Sequence, residues 1–124
     1  MSTLEVSNLN DGTTTVATTY ITNGSAKAWV NFAGAGTSIN DSQNMSSLSD
    51  DATGKFTLTM SSAMGNTNYS VSQGIQELGT QNNHFTVVRS DVTITSTVFG
   101  VATYSSSSYQ DVTLGYASVH GDLA

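Results

Sequence analysis

Ala26-Lys27-Ala28-Trp29-Val30-Asn31-Phe32 and, beyond a Gly34-Ala35-Gly36 break, Lys55-Phe56-Thr57-Leu58-Thr59-Met60 decide the fold class of this chain. Side chains on an extended strand alternate between its two faces. Ala28, Val30 and Phe32 therefore share one face, and Lys27, Trp29 and Asn31 the other. The second segment repeats the pattern, with Phe56, Leu58 and Met60 on one side and Lys55, Thr57 and Thr59 on the other. Such alternation marks half-buried strands, and it sets the only tryptophan opposite the apolar set.

On either side of these segments, short strand-like runs alternate with polar breaks, the pattern of an all-β antiparallel β-sandwich of about eight strands. Residues 4–6 and 15–21 read as strands joined by the turn-like Asn8-Leu9-Asn10-Asp11-Gly12. Asn23-Gly24 is a strong two-residue turn signal and predicts a hairpin into the tryptophan strand. Residues 45–48 follow, then Asp50-Asp51-Ala52-Thr53-Gly54, where Gly54 is free to take the left-handed conformation that closes a short hairpin. Residues 69–75, 85–89, 92–104 (bent or bulged at Gly100) and 112–119 complete the set. No helix is expected. The best helical candidates, 39–48 and 73–78, lack apolar spacing and carry Gly, Asn or Ser where a helix prefers Ala or Leu.

Composition narrows the function classes. A chain of 124 residues with no internal shift in composition is one domain, 1–124. It holds neither cysteine nor proline, which excludes disulfides, Cys-ligated zinc and thiol catalysis. Leu, Ile, Val and Phe supply 26 residues, whereas Ser and Thr supply 38. The core must therefore be thin and the sheet surfaces rich in hydroxyls. A small domain so poor in large apolar groups gains stability by joining copies of itself, so a homo-oligomer is expected. Net charge is −6, with Lys27, Lys55 and Arg89 the only basic side chains. Nothing neutralises a phosphate backbone, so no nucleic-acid partner is expected. No apolar stretch reaches the length of a membrane span, and no leader pattern opens the chain, so no membrane insertion is expected.

The tryptophan strand, Gly34-Ala35-Gly36-Thr37, Ser42-Gln43-Asn44-Met45-Ser46-Ser47, the 49–60 hairpin and Ala63-Met64-Gly65 to Tyr69 occur in an informative order. They resemble a module of tail-fibre-like and other virion structural proteins of tailed bacteriophages, marine and cyanophage-type ones especially. The hallmarks of that module are an AKAWVNF strand, an SxNxSS segment, a TDxxTGxYTVxF hairpin and an AMPxxxY strand entry. Gly65 stands where the module has proline and Met60 where it has phenylalanine. Residues 71–124 match loosely, so specificity encoded there does not carry over. The resemblance implies a jelly-roll-like trimer without enzymatic activity, made in the host cytoplasm and displayed on the virion, where it serves as a tail-fibre-type protein in host attachment. Two alternatives stand beside this: a capsid decoration or cement protein that binds other virion proteins, and a carbohydrate-binding module. On this division, 25–124 form the tail-fibre-like module, and 1–24 either add strands or act as a virion-anchoring arm. So short a leading segment leaves no room for a shaft and favours the decoration reading.

Two loops combine polar residues with aromatic flanks, the mixture used in loops that recognise sugars or proteins. One carries Asn82, Asn83 and His84, and the other runs between Tyr104 and Tyr109. Their expected partner is a host-surface glycan or protein, although ordinary solvated hairpin tips have the same composition. Trp29, Phe32, Phe56 and Tyr69 are expected in the core or an oligomer interface, where large aromatics concentrate. Catalysis is not expected. His84 and His120 are the only histidines, and His120-Gly121-Asp122 falls in a tail expected to fray, so a serine triad lacks its base. Asp50 and Asp51 point to opposite faces if extended, unlike the facing carboxylates of a glycosidase. Asp41, Asp50, Asp51 and Asp91 lack the spacing of a calcium loop, and neither metal nor cofactor is expected.

Overall fold

A computed structural model describes residues 1–76 and 83–124. It is an all-β architecture of antiparallel sheets, with eleven strands and one short helix among the described residues. The chain begins with β1 (Asn8–Asn10), β2 (Thr15–Ala17) and α1 (Thr18–Gly24). It continues with β3 (Ala28–Ala33), β4 (Ile39–Gln43), β5 (Met45–Ala52), β6 (Lys55–Met60) and β7 (Ser70–Gln76). The last elements are β8 (His84–Val88), β9 (Val98–Ser105), β10 (Ser108–Tyr109) and β11 (Leu114–His120). One sheet has the order β4-β3-β11-β7. The other runs β5-β6-β9-β8, with β10 continuing the β6 side of β9.

The alternation read from the sequence appears as burial. Ala28, Val30 and Phe32 of β3, and Phe56, Leu58 and Met60 of β6, form one cluster with Leu48, Phe99, Val101, Ala117 and Val119. The two larger sheets therefore share a single apolar interior. Phe32 and Phe56 meet across it edge to face, with centroids 5.1 Å apart. Burial of each such ring contributes roughly 1.5–3 kcal/mol. Gly115 lies opposite Phe32 in the β3–β11 register. A Cβ there would stand 2.2 Å from Phe32 Cζ, so the bare backbone is what makes room for the ring.

Asn44 carries the chain from one sheet to the other. It sits between β4 and β5 at φ 55°, a left-handed value that asparagine tolerates because its short amide bonds locally. Its Nδ2 donates to Lys27 O (3.1 Å) and Ser62 O (3.3 Å), and its Oδ1 accepts from Ser62 N (2.7 Å). Gly54 takes φ 63° in the β5–β6 hairpin, as expected. Asp111 Oδ1 accepts from its backbone N–H at 2.6 Å. At the opposite edge, Gln73 of β7 closes the gap to β8. With its carboxamide turned to satisfy both ends, it donates to Val87 O (3.2 Å) and Thr86 Oγ1 (2.6 Å) and accepts from Val88 N (3.2 Å). An edge strand that would otherwise offer free backbone groups is thereby covered.

Several expectations are corrected. Residues 4–6 form no strand; the first strand is Asn8–Asn10, which had read as turn. The run 15–21 is strand only to Ala17 and then turns into α1, contrary to the expectation of no helix. Local hydrogen bonding can outweigh the β preference of threonine here, because no sheet face covers the segment. Asn23-Gly24 ends that helix, and β3 pairs with β4 and β11 instead of forming a hairpin there. Residues 39–43 are an additional strand. Of 92–104, only the portion from Val98 onward is strand, and the β6–β9 register passes through Gly100 without a shift. A Cβ at Gly100 would lie 2.8 Å from the Val92 side chain, so close packing explains that glycine. The C-terminus is tied down, with Met64 bridged to Leu123, Gly65 N donating to Asp122 O (2.7 Å) and Ala124 N to Ala63 O (3.0 Å).

Candidate contact site

Pairing of β8 with β9 brings the two polar loops together. His84 lies opposite Ser105, and Phe85 opposite Tyr104. Ser106 N donates to Asn83 O at 2.9 Å, and Asn83 Nδ2 approaches Ser106 Oγ at 3.4 Å. Ser106 holds φ 56°, a value serine adopts rarely, in the tight β9–β10 connection. Asn83, His84, Tyr104 and Tyr109 thus share one end of the sheet, while Asn82 lies outside the described residues.

Beside these loops, the outward side chains of three strands form a continuous aromatic strip. Phe85 stacks on Tyr104 with centroids 5.0 Å apart and planes 5° from parallel, and Tyr104 meets Tyr109 at 4.4 Å. Lys55 Nζ caps the strip 4.4 Å from the Tyr109 centroid, a cation–π contact. Hydrogen bonding with Tyr109, then burial, raises the Tyr104 phenol above its ordinary pKa.

An ion-pair network holds this end of the sheet. Arg89, 9% exposed, makes a bidentate pair with Asp91 at 2.9 and 3.1 Å and also donates to Asp51. Asp91 accepts from Lys55 Nζ as well, at 3.1 Å. Hydrogen bonds from Arg89 and then Lys55 hold the Asp91 carboxyl far below the usual carboxylate range. Burial would raise Asp51, but hydrogen bonds from Thr57, Ser49 and Arg89 bring it below its ordinary value. The hydrogen bond to Asp91 raises both Lys55 and Arg89. Two of the three basic side chains of the chain are committed here. Arg89 and Asp91 are two positions apart, but the links to Asp51 and Lys55 span 38 and 36 positions and left no sign in the sequence.

The other expected residues fall elsewhere. Phe32 and Phe56 are fully buried in the shared core. Tyr69 packs half-buried against that core, and its hydroxyl donates to Thr95 O (2.9 Å) and Val98 O (3.0 Å). Trp29 lies on the outer face of the other sheet, where its Nε1 donates to Gln43 Oε1 at 3.0 Å. Asp50 and Asp51 diverge as expected of extended residues, Asp50 accepting from Gly36 N at 2.7 Å.

Residues 1–24 form a separate feature. The β1–β2 hairpin is turned by Asp11, whose Oδ1 accepts from Thr13 N (2.9 Å) and Thr14 N (2.7 Å). Thr18 Oγ1 ties α1 back to Val6 O at 2.9 Å, and Lys27 Nζ caps the far end of the helix at Thr22 O. No residue of 1–24 is buried, and Leu4, Val6, Leu9, Val16, Tyr20 and Ile21 stand in solvent. No protein-family model, curated protein or solved structure matches the chain.

Proposed function

We propose that the chain is a non-enzymatic structural protein on the surface of a tailed-phage virion. In this reading the two larger sheets are the layers of an antiparallel, jelly-roll-like sandwich, and copies associate through residues 1–24 as a homo-oligomer, a trimer in keeping with the resemblance. The polar-aromatic end carrying Asn83, His84, Tyr104 and Tyr109 faces outward for host attachment.

The observation that carries the reading is the exposed leading segment. A two-stranded hairpin with three-residue strands and a seven-residue helix are each marginal alone in water. This one also exposes seven large apolar side chains, Met1 included. Such a segment makes physical sense when something covers it, whether neighbouring copies or another virion protein. The shared core begins at Ala28 and owes nothing to it. That favours an anchoring arm over extra strands for 1–24.

Removal of residues 1–24 tests this. The shortened protein is expected to keep its β circular dichroism and cooperative melting while losing oligomerisation in mass measurements and losing binding to particles. An unchanged oligomer together with undiminished binding to particles would refute the arm. Purified full-length protein should compete with particles for adsorption to host cells. Absence of competition, with binding to capsids retained, would move the assignment to a decoration protein.

A further inference from the structure

The outer face of the β4-β3-β11-β7 sheet holds a groove of about 510 Å³, a size within the roughly 300–1,000 Å³ typical of small-ligand sites. Cross-strand register sets its walls. Trp29 stands beside Ser118 and then Ser72, and in the next outward row Asn31 stands beside Tyr116 and then Gly74. The Trp29 indole is half-exposed and held by its bond to Gln43. Tyr116, 36% exposed, lies against the bare backbone of Gly74, where a Cβ would sit 3.7 Å from Tyr116 Cδ2. Two anchored aromatic rings therefore flank a floor of small polar residues.

Most polar atoms of that floor are uncommitted among the described residues. Asn31 Oδ1 accepts from Asn40 Nδ2 at 3.0 Å, which turns the Asn31 amide nitrogen away from that bond. The hydroxyls of Ser72, Ser118 and Tyr116 have no hydrogen bond among the described residues. Neither lysine, arginine nor histidine lines the groove, and Asp41 lies next to Asn31 at its rim. A pyranose ring has an apolar C–H face, weakly positive against the negative face of an aromatic ring, and a rim of hydroxyls that both donate and accept. The groove complements both. An anionic sugar would find no cation in the lining, His120 lying one outward row beyond Ser118, and would meet Asp41. The Phe85–Tyr104–Tyr109 strip is less suited, since its rings cover one another's faces.

We propose that this groove binds a neutral saccharide, with a pyranose ring stacked between Trp29 and Tyr116 and its hydroxyls bonded to Ser72, Ser118 and Asn31. The proposal stands apart from the virion reading, because it requires binding of free sugar in solution. Trp29 is the only tryptophan, so its emission reports the site directly. Full-length protein titrated with methyl glycosides of glucose, galactose, mannose and N-acetylglucosamine, and with their disaccharides, should give a saturable change for at least one. Glucuronic acid should give none. Ser118→Leu, which fills the floor at an outward β position, should weaken binding by roughly tenfold or more with an unchanged melting temperature. Tyr116→Phe, which keeps the ring, should weaken it by a few-fold only. Absence of a response to every neutral sugar would overturn the proposal. So would equal binding of the acid, or shielding of Trp29 from acrylamide in the native oligomer, which would make this face an interface between copies.

Discussion

Substituting Gly115→Ala tests the register on which the whole interior depends. Gly115 has no positive φ, so alanine meets no backbone penalty there and the effect isolates one contact. The new methyl would lie 2.2 Å from Phe32 Cζ and 2.7 Å from both Cε atoms, against about 3.5–4.0 Å for carbon atoms in comfortable contact. The ring must retreat by more than about 1 Å, and Phe56 stands behind it. Overpacking of this kind costs about 1–3 kcal/mol. Alanine recovers about 0.5–1 kcal/mol of the unfolded-state freedom that glycine loses on folding. The two ranges leave a net loss of about 0–2.5 kcal/mol, and the 2.2 Å approach puts it in the upper part, at about 1–2 kcal/mol, a fall in melting temperature of roughly 5–10 °C for a chain of this size. Phe32→Leu alone should cost about 1–2 kcal/mol. In the double variant the two effects should fall short of additivity by about 1 kcal/mol, because the smaller side chain vacates the space that the methyl needs. Denaturant unfolding of the four proteins measures this directly. Full additivity, or a Gly115→Ala protein as stable as the parent, would mean that Phe32 does not lie over Gly115 and that the β3–β11 pairing is wrong.

The Arg89 network should appear in the acid limb of stability. Asp51 and Asp91 have folded-state pKa values below their unfolded ones, so the stability they contribute is present above about pH 4 and is lost as pH falls below it. Denaturant midpoints measured from pH 7 to pH 2.5 should fall in that window, and Arg89→Met should flatten the fall. Arg89→Ala at pH 7 should cost about 1.5–3 kcal/mol, the usual scale for losing hydrogen bonds to charged groups. Ser106→Gly should stabilise by roughly 0.5–1 kcal/mol, because glycine holds a left-handed φ without the 1–2 kcal/mol penalty of an L side chain. A thermal melt no higher than that of the parent would show that Ser106 is unstrained. Asn44→Ala should cost about 2 kcal/mol or more through lost side-chain bonds and left-handed strain, and Asn44→Gly distinctly less. Equal losses by equilibrium unfolding would assign the whole effect to the amide.

The chain order of residues was enough to establish the two strands that supply half of the core cluster, their inward faces and the Gly54 hairpin. In each case the determinant is local: period-two alternation, or a backbone angle that one residue type accepts. It was enough also to single out Tyr104 and Tyr109 by their composition and flanks. Which strands are neighbours was decided by tertiary structure. Residues 39–43 are too polar to announce a strand and become one because β3 offers a free edge. Residues 18–24 have β-favouring threonines and become helix because no sheet reaches them. The Arg89 network, the Phe85–Tyr104–Tyr109 strip and the Trp29–Tyr116 groove join side chains far apart in sequence. Their existence depends on cross-strand register, which is set by how Phe32, Gly115 and the rest of the interior fit together and by no single stretch of chain.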